Sequence, residues 1–443
     1  MMNEIKEPFF ARIESDEQGE RKQILADHIN GVTSRMKAWS DGTATDELAG
    51  LVHDFGKYRL LWQEYLADPL SCKGEVAHSP TGVELIYRLS EDYLRTDKKT
   101  IGFYVAKESL MYAVAAHHGI FDIVSADGKG EFHGRIQRAH QDEVSRYTEA
   151  MQNYQKEFNI KYLKNLFAKS VKEAEELVEI ILNNDSLKSA SRFYFGFQTR
   201  MILSSLIDGD WSDAGSFSSE KLRQYESEHK KADWEKLLLD LENAVKEMSG
   251  ESEINRLRSQ ISEECKRSAK KPPGIYRLNV PTGGGKTLAV MRFALAHAQE
   301  YKKGRIFYIS PFISILEQNA KKYREALLPY SQSSQIDSLI LEHHSNILRE
   351  EKKEGDQRET EDRYNYLSSN WSPPIVLTTM VQLLNTFFSS NSQNLRRLHR
   401  LRNSVIIVDE FQSVPVRCQT LFNLAINALS QFYGTTIVLC TAT

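Results

Sequence analysis

The chain has 443 residues, 41% hydrophobic and 26% charged, which is the composition of a globular protein of two to three domains. Its formal net charge of −3 excludes an overall basic attraction for nucleic acid, so any such binding must use local grooves. The four cysteines are scattered and predict neither a disulfide framework nor a cysteine zinc site. With no membrane-length apolar run and no signal peptide, these features predict a cytoplasmic protein without membrane contact.

The first part of the chain, up to about residue 210, has the pattern of an almost entirely helical domain. Its clearest helical stripe consists of Leu48, Leu51, Val52 and Phe55. His53 and Asp54 interrupt this apolar stripe, so one or both side chains are expected to point into the protein. A buried pair of this kind needs a function or a partner, because an uncompensated buried charge is costly.

More histidines and acids lie in helical patterns of the same region. The candidate set is His28, His53, Asp54, His78, His117, His118 and either Asp208 or Asp210. Imidazole and carboxylate groups together favour divalent transition metals, and two metals sharing a carboxylate activate water against a phosphodiester. Neighbouring helical residues point about 100° apart, so His53 and Asp54 can serve two metals from one turn. His133 lies in a turn-rich stretch and is predicted to be an unliganded surface residue.

The character of the chain changes after residue 211. The stretch 212–220 is rich in small polar residues and predicts a break, and charged helical patterns follow it up to residue 271. We interpret this part as a connector between domains. The predicted division is therefore 1–211, 212–271 and 272–443.

A glycine loop between a predicted strand (274–280) and a predicted helix (288–296) opens the last domain. The loop consists of Pro281, Thr282, Gly283, Gly284, Gly285, Lys286 and Thr287. Such glycines turn backbone N–H groups around an anion, and the helix N-terminus favours negative charge. We predict ATP and Mg²⁺ here, with Lys286 at the β- and γ-phosphates and Thr287 on the metal.

Apolar runs at 305–310, 338–341, 375–379, 405–408 and 436–439 alternate with helical patterns and predict a buried parallel sheet. Asp409 and Glu410 follow one of these runs. An acid at that strand end holds Mg²⁺ and its neighbour activates the attacking water, so we assign Asp409 the metal and Glu410 the water.

Two motifs resemble known families. The loop at 281–287 is similar to that of superfamily-two helicases, and 53–58 (His-Asp-Phe-Gly-Lys-Tyr) resembles the central motif of the HD phosphohydrolase superfamily. The HD resemblance implies that His28, His53, Asp54, His78, His117, His118 and Asp210 are the metal ligands. It also implies that Lys57 faces the scissile phosphate, which makes His53, Asp54 and Lys57 the catalytic candidates. Asp210 is chosen over Asp208 because Asp-Trp matches the closing motif better.

The stretches 310–318 and 377–382 resemble helicase motifs that touch the nucleic-acid backbone, and 441–443 resembles the motif that couples ATP to strand movement. The residues concerned are Ser310, Thr378, Thr379, Thr441 and Thr443. Hydroxyl groups and helix N-termini suit phosphate contacts that do not depend on sequence.

Both halves in this order resemble the CRISPR-associated helicase–nuclease of type I systems (CRISPR-associated protein three). The resemblance implies an all-α HD domain followed by an α/β RecA-like domain with a mainly parallel sheet. It implies a nuclease for single-stranded DNA that uses two divalent ions (Mn, Ni, Co or Fe, with Mg weaker). It also implies recruitment by an RNA-guided surveillance complex in antiviral defence.

The chain stops after the third helicase motif, so the second lobe is expected to be absent and the ATPase site incomplete. Two other functions remain open from the sequence. One is an HD hydrolase acting on free nucleotides, and the other is a recruitment module without turnover.

Overall fold

The computed structural model describes residues 8–16, 19–68, 77–124, 128, 130–142, 144–228, 232–247, 252–281, 283–327, 339–345 and 354–442. Two residues of the candidate sites, Thr282 and Thr443, lie outside these ranges. The chain divides into two compact units: Met1–Glu220 with Ser390–His399, and Lys221–Ser389 with Arg400–Thr443. No helix in the described ranges is long and apolar enough to cross a bilayer.

The first unit is mainly helical. Its elements are β1 (Phe10–Asp16), β2 (Gly19–Ile24), α1 (Leu25–Trp39), α2 (Ala44–Val52), α3 (Leu60–Ala67), α4 (Ser79–Tyr93), α5 (Ile101–Ala116), α6 (Glu131–Asp142), α7 (Val144–Tyr154), α8 (Ile160–Leu182), α9 (Asp185–Lys188) and α10 (Ser191–Ser218), with a 3-10 turn at Phe55–Tyr58. The predicted helical domain is confirmed with one addition, an antiparallel hairpin formed by β1 and β2. Strand β2 is strongly polar and mostly exposed. It therefore lacks the apolar alternation that predicts a strand.

The core of this unit is built on α1, α2, α5 and α10. Helix α1 packs on α2 and α10, while α5 packs on α4, α8 and α10. The predicted apolar stripe is buried, with Leu48, Val52 and Phe55 fully inaccessible. These helices bring the ends of α2 and α5 towards the middle of α10.

Two local predictions in this unit were wrong. The predicted break at 212–220 is largely helical, since α10 continues through Ser218. Ser212 and Asp213 are buried on its inner face, and this packing outweighs the low helix propensity of small polar residues. His133 lies in α6 and not in a loop, although its side chain is exposed as expected.

The second unit is an α/β domain. Its strands are β3 (Ile275–Asn279), β4 (Arg305–Ser310), β5 (Ile340–His343), β6 (Ile375–Thr379), β7 (Ser404–Val408) and β8 (Thr436–Thr441). The remaining helices of the chain are α11 (Glu220–Glu228), α12 (Trp234–Glu247), α13 (Glu253–Ser268), α14 (Lys286–Glu300), α15 (Ile313–Leu327), α16 (Glu354–Asn370), α17 (Met380–Phe388), α18 (Ser392–Leu395) and α19 (Val416–Phe432). The sheet has the order β3-β8-β7-β4-β6-β5 and every pair is parallel, which confirms the predicted α/β class.

Helices α12 and α13 come from the part interpreted as a connector. In the structure Trp234, Leu241 and Cys265 from these helices belong to the buried core of the second unit, together with residues of α14 and the sheet. These charged helices therefore have an apolar face that the domain buries.

The segment Ser390–His399, which includes α18, belongs to the first unit although it lies between α17 and β7 in sequence. We call it the inserted segment. The Ser204 hydroxyl on α10 donates to the Leu395 carbonyl at 2.6 Å, and Arg396 Nε lies 2.6 Å from Asp208 Oδ1. The inserted segment is thus fastened to the helix that also carries Asp210.

Candidate metal centre and nucleotide site

The structure brings the seven candidate metal ligands together. His28 lies on α1, His53 and Asp54 follow α2, His78 precedes α4, His117 and His118 follow α5, and Asp210 lies on α10. Their ligand atoms form two groups: Asp54 with His78, His117 and His118, and His28 with His53 and Asp210. Within each group the atoms lie within 4.8 Å of one another, which is compatible with one ion per group.

Asp54 lies between the two groups. Its Oδ1 is 3.1 Å from His78 Nε2 and 3.9 Å from His117 Nε2. Its Oδ2 is 3.2 Å from His28 Nε2 and 3.4 Å from His53 Nε2. One carboxylate therefore presents a different oxygen to each group, as a carboxylate shared by two metals would.

The buried polar atoms of the centre fit metal ions. His28 Nε2, His53 Nε2, His117 Nε2 and Asp54 Oδ1 are buried without a well-aligned hydrogen bond in the described part of the chain, whereas Asp54 Oδ2 is paired with the Lys57 ammonium at 2.7 Å. Buried polar atoms are normally paired, so these inward-facing atoms are suited to binding ions. Imidazole nitrogens and carboxylate oxygens are suited to divalent transition metals.

The other ring nitrogen of three histidines is held by a hydrogen bond. His53 Nδ1 bonds the Gly50 carbonyl at 2.8 Å, and His117 Nδ1 bonds the Val114 carbonyl at 2.6 Å. His28 Nδ1 lies 2.7 Å from a carboxylate oxygen of Asp213. Such bonds fix the ring with Nε2 facing inward, which is the usual arrangement of metal-bound histidine.

Asp213 was not among the residues singled out from the sequence, because it falls in the stretch interpreted as a break. The available signal was its position three residues after Asp210, which places both acids on one face of a helix.

The protonation of His28 differs from that of the histidines in the other ligand group. Burial lowers its pKa, but hydrogen bonds with Asp210, Asp213 and Asp54 outweigh that effect and raise the pKa to about 10. A metal ion bound by His28 must therefore displace a proton at neutral pH.

Burial lowers the pKa of His78 to about 4 and that of His117 to about 3. Both rings are neutral at pH 7 and can bind metal without losing a proton. Burial would raise the pKa of Asp54, but the charges of Lys57 and His53 and the contacts with the His28 and His53 rings together outweigh it and hold that pKa well below its usual value.

Two acids on α10 have different surroundings. Asp210 Oδ1 lies 3.3 Å from His28 Nε2. Asp208 is turned to the inserted segment, where Oδ1 pairs with Arg396 and Oδ2 lies 3.3 Å from His399 Nε2. The geometry therefore favours Asp210 as the acid of the centre.

Lys57 lies at the edge of the centre beside an aromatic ring. Its ammonium is 2.7 Å from Asp54 Oδ2 and 5.4 Å from the ring centroid of Trp62. The Trp62 ring in turn lies 4.5 Å from the His78 ring. Trp62 was not singled out from the sequence.

The glycine loop has the conformation that its sequence requires. Gly283 and Gly285 have φ angles of +81° and +80°, a left-handed conformation that favours glycine. Gly285 is the N-cap of α14, which begins at Lys286. The Lys286 ammonium lies 2.8 Å from Asp409 Oδ1 and 2.5 Å from Glu410 Oε1, so the loop and the acids after β7 share one site.

A chain of hydrogen bonds joins the two candidate Mg²⁺ ligands. Thr287 Oγ1 donates to Asn319 Oδ1 at 3.3 Å, and Asn319 Nδ2 donates to Tyr308 Oη at 2.7 Å. Tyr308 Oη then donates to Asp409 Oδ2 at 2.5 Å. Tyr308 and Asn319 lie on β4 and α15, and neither was singled out from the sequence.

The candidate DNA-contact hydroxyls are mostly engaged within the α/β unit. Ser310 and Thr378 are fully buried, and Thr378 donates to the His343 carbonyl at 2.8 Å. Thr379 caps α17, and Thr441 is buried in β8.

The exposed side chains near the same strand ends are apolar. Phe312 is 57% exposed and Val381 is 62% exposed. The hydroxyl groups of Ser310, Thr378 and Thr379 form hydrogen bonds within the unit, and contact of these residues with DNA stays a prediction.

Known proteins match parts of the chain in sequence. Residues 260–443 match the DEAD/DEAH box helicase family. The CRISPR-associated nuclease/helicase Cas3 of Haloferax volcanii is 27% identical over 185 residues, which are 40% of this chain and 20% of that protein.

Solved structures match over the whole chain. A crystal structure of T. fusca Cas3 with ATP covers 98% of the chain at 16% identity, with a TM-score of 0.61. A CRISPR RNA-guided surveillance complex in a pre-nicking state also contains a chain that covers 98%, at 15% identity and a TM-score of 0.52. This chain spans 49% and 47% of those two chains, about half of their length.

Proposed function

We propose, from its homology to Cas3 proteins in sequence and fold, that this chain is a metal-dependent nuclease for single-stranded DNA joined to the first lobe of an ATP-dependent helicase. The observation that carries the proposal is the position of Asp54. One of its oxygens faces the buried His28 Nε2 and the other faces the buried His78 Nε2, which supports a carboxylate shared by two ions.

The chemistry divides between bound ions and side chains. A pair of divalent ions supplies activation of water and neutralisation of the phosphate charge when bound. The histidines and Asp210 would hold the ions, and Asp54 would contribute to both groups. Lys57 binds a non-bridging phosphate oxygen and keeps the scissile phosphate over the centre.

The α/β unit would bind ATP with Mg²⁺ between the glycine loop and the acids after β7. Lys286 would bind the phosphates, Thr287 and Asp409 would hold the ion, and Glu410 would orient the attacking water. Nucleotide binding requires Lys286 to leave the two acids for the phosphates. ATP would move the DNA strand, whereas phosphodiester hydrolysis in the helical unit does not consume it.

The resemblance to Cas3 also suggests the biological setting. We propose that the protein acts in CRISPR antiviral defence in the cytoplasm. An RNA-guided surveillance complex would recruit it and present the displaced DNA strand.

The decisive experiment measures metal-dependent cleavage of circular single-stranded DNA. Wild type should cleave with Mn²⁺, Co²⁺ or Ni²⁺ and much less with Mg²⁺, and Asp54→Asn should abolish cleavage while remaining folded. Asp122→Asn, at an exposed acid, is the matched control. Undiminished cleavage by Asp54→Asn, or in excess chelator, contradicts the proposal.

The same assay with deoxynucleoside triphosphates tests the alternatives. Hydrolysis of free nucleotides without cleavage of the long strand would identify a nucleotide hydrolase. Metal binding without hydrolysis of either substrate would identify a recruitment module.

A further inference from the structure

The carboxylate of Asp213 is shared by three side chains near the metal centre. Its Oδ2 lies 2.7 Å from His28 Nδ1 and accepts a hydrogen bond from Gln23 Nε2 at 2.7 Å. Its Oδ1 accepts a hydrogen bond from Arg35 at 2.7 Å. The side chain is 11% exposed, so these bonds form in a largely water-free environment.

Helices α1 and α10 approach closely at this point. A Cβ atom on Gly31 would lie 2.1 Å from Asp213 Oδ1, so only glycine leaves room for the carboxylate. Arg35 also donates to the Gly31 carbonyl at 3.1 Å. Glycine inside a helix is less favourable than alanine, and here it permits the contact of Asp213 with α1.

We infer that Asp213 is the positioning residue for His28 and thereby sets the affinity of one metal site, that of His28, His53 and Asp210. The inference rests on the proposed function, since it requires an ion at this group. With Nδ1 held by Asp213, the His28 Nε2 atom lies 3.2 Å from Asp54 Oδ2 and 3.3 Å from Asp210 Oδ1.

The group that orients His28 differs from the groups that orient the neighbouring histidines. His53 and His117 are oriented by neutral carbonyl groups of Gly50 and Val114, whereas His28 is oriented by a carboxylate. A carboxylate partner makes an imidazole a stronger ligand than a carbonyl partner does. Loss of Asp213 should therefore weaken the binding of one ion and not of the other.

The test measures metal stoichiometry and affinity with Co²⁺ by calorimetry and by its visible absorption. Wild type should bind two ions, one for each ligand group. Asp213→Ala should weaken one of them by roughly 10–100-fold and leave the other unchanged. Asp213→Asn keeps an oxygen acceptor without the charge, and its affinity for this ion should fall between those of wild type and Asp213→Ala. Asp122→Asn should behave as wild type.

The outcomes separate this inference from the proposed function. A wild type that binds no ion overturns the proposed function. A wild type with two ions and an Asp213→Ala variant with unchanged affinities overturns only the role of Asp213. Equal weakening of both ions would show a general structural role and would also overturn it. If Asp213→Ala does not fold, Asp213→Asn carries the comparison.

Discussion

Lys57 and Asp54 form a buried ion pair in which the ammonium lies 2.7 Å from Oδ2. Lys57, the proposed phosphate contact, is thus paired with the carboxylate of Asp54, which lies between the two ligand groups. In the proposed function Asp54 would be compensated by bound ions, and the ammonium of Lys57 would then be available to a phosphate oxygen. The pair therefore keeps two buried charges compensated before metal and substrate arrive.

We predict that Lys57→Met lowers the rate of single-strand cleavage by on the order of 10²-fold, because one charge facing the transition state is lost. Single-turnover cleavage at saturating Mn²⁺ measures the rate, and elemental analysis should show unchanged metal content. Lys99→Met, at an exposed position, is the matched control. Parallel loss of metal and activity would show that Lys57 supports Asp54 instead.

The two acids of α10 should respond differently to the same change. Asp208→Asn removes the charge that faces Arg396, and breaking a buried ion pair costs about 3–5 kcal/mol of the free energy of unfolding. Its folded form should keep both metals. Asp210→Asn should lose metal from the group containing His28. Denaturant titration and metal analysis of both variants provide the measurement, and the opposite pattern would make Asp208 the ligand.

Lys286→Ala should remove ATP·Mg²⁺ binding in calorimetry, because the variant lacks the lysine that would bind the phosphates in the proposed site. Cleavage of circular single-stranded DNA should be the same for both proteins, with or without ATP. Lys271→Ala, at an exposed position, serves as the control. An ATP-dependent increase in wild-type cleavage that disappears in Lys286→Ala would show that ATP drives the nuclease step.

We predict that His297 makes the stability of the α/β unit depend on pH. Burial lowers its pKa to about 4, and the ring bonds the Ala269 carbonyl and the Thr436 hydroxyl, each at 2.8 Å. Below about pH 6.5 the unfolded chain takes up a proton that the folded chain excludes. Its contribution to stability is therefore full above pH 6.5 and declines as pH falls towards 4.

Denaturant unfolding of wild type and His297→Gln between pH 7.5 and 4.5 tests this prediction. Buried His78 and His117 add a loss of stability in the same direction, so the difference between the two proteins is the informative quantity. The difference should shrink as the pH falls. A difference that does not change with pH would contradict the prediction.

Most of the site was visible in the sequence because its residues lie in short motifs with distinct chemistry. His53 and Asp54 interrupt an apolar stripe, and the glycine loop precedes a helix. The parallel sheet was predicted because its strands are near-continuous apolar runs. Strands β4 and β6 have the predicted bounds.

What the sequence did not reveal depends on contacts between distant residues. Asp213 was hidden in a stretch of small polar residues whose helical state comes from packing against α1. Tyr308 and Asn319 are ordinary side chains until the fold brings them to Asp409. The hairpin of β1 and β2 carries polar residues and no alternation that would predict it.

The inserted segment places a constraint on the gene that is not apparent from the order of the residues along the chain. Residues 390–399 are encoded among the strands of the α/β unit, yet their Arg396 compensates Asp208 in the helical unit. Recombination at residue 220 would separate the helical part from this arginine and weaken it. A graft of the helical unit onto another α/β unit would therefore have to carry this downstream stretch with it.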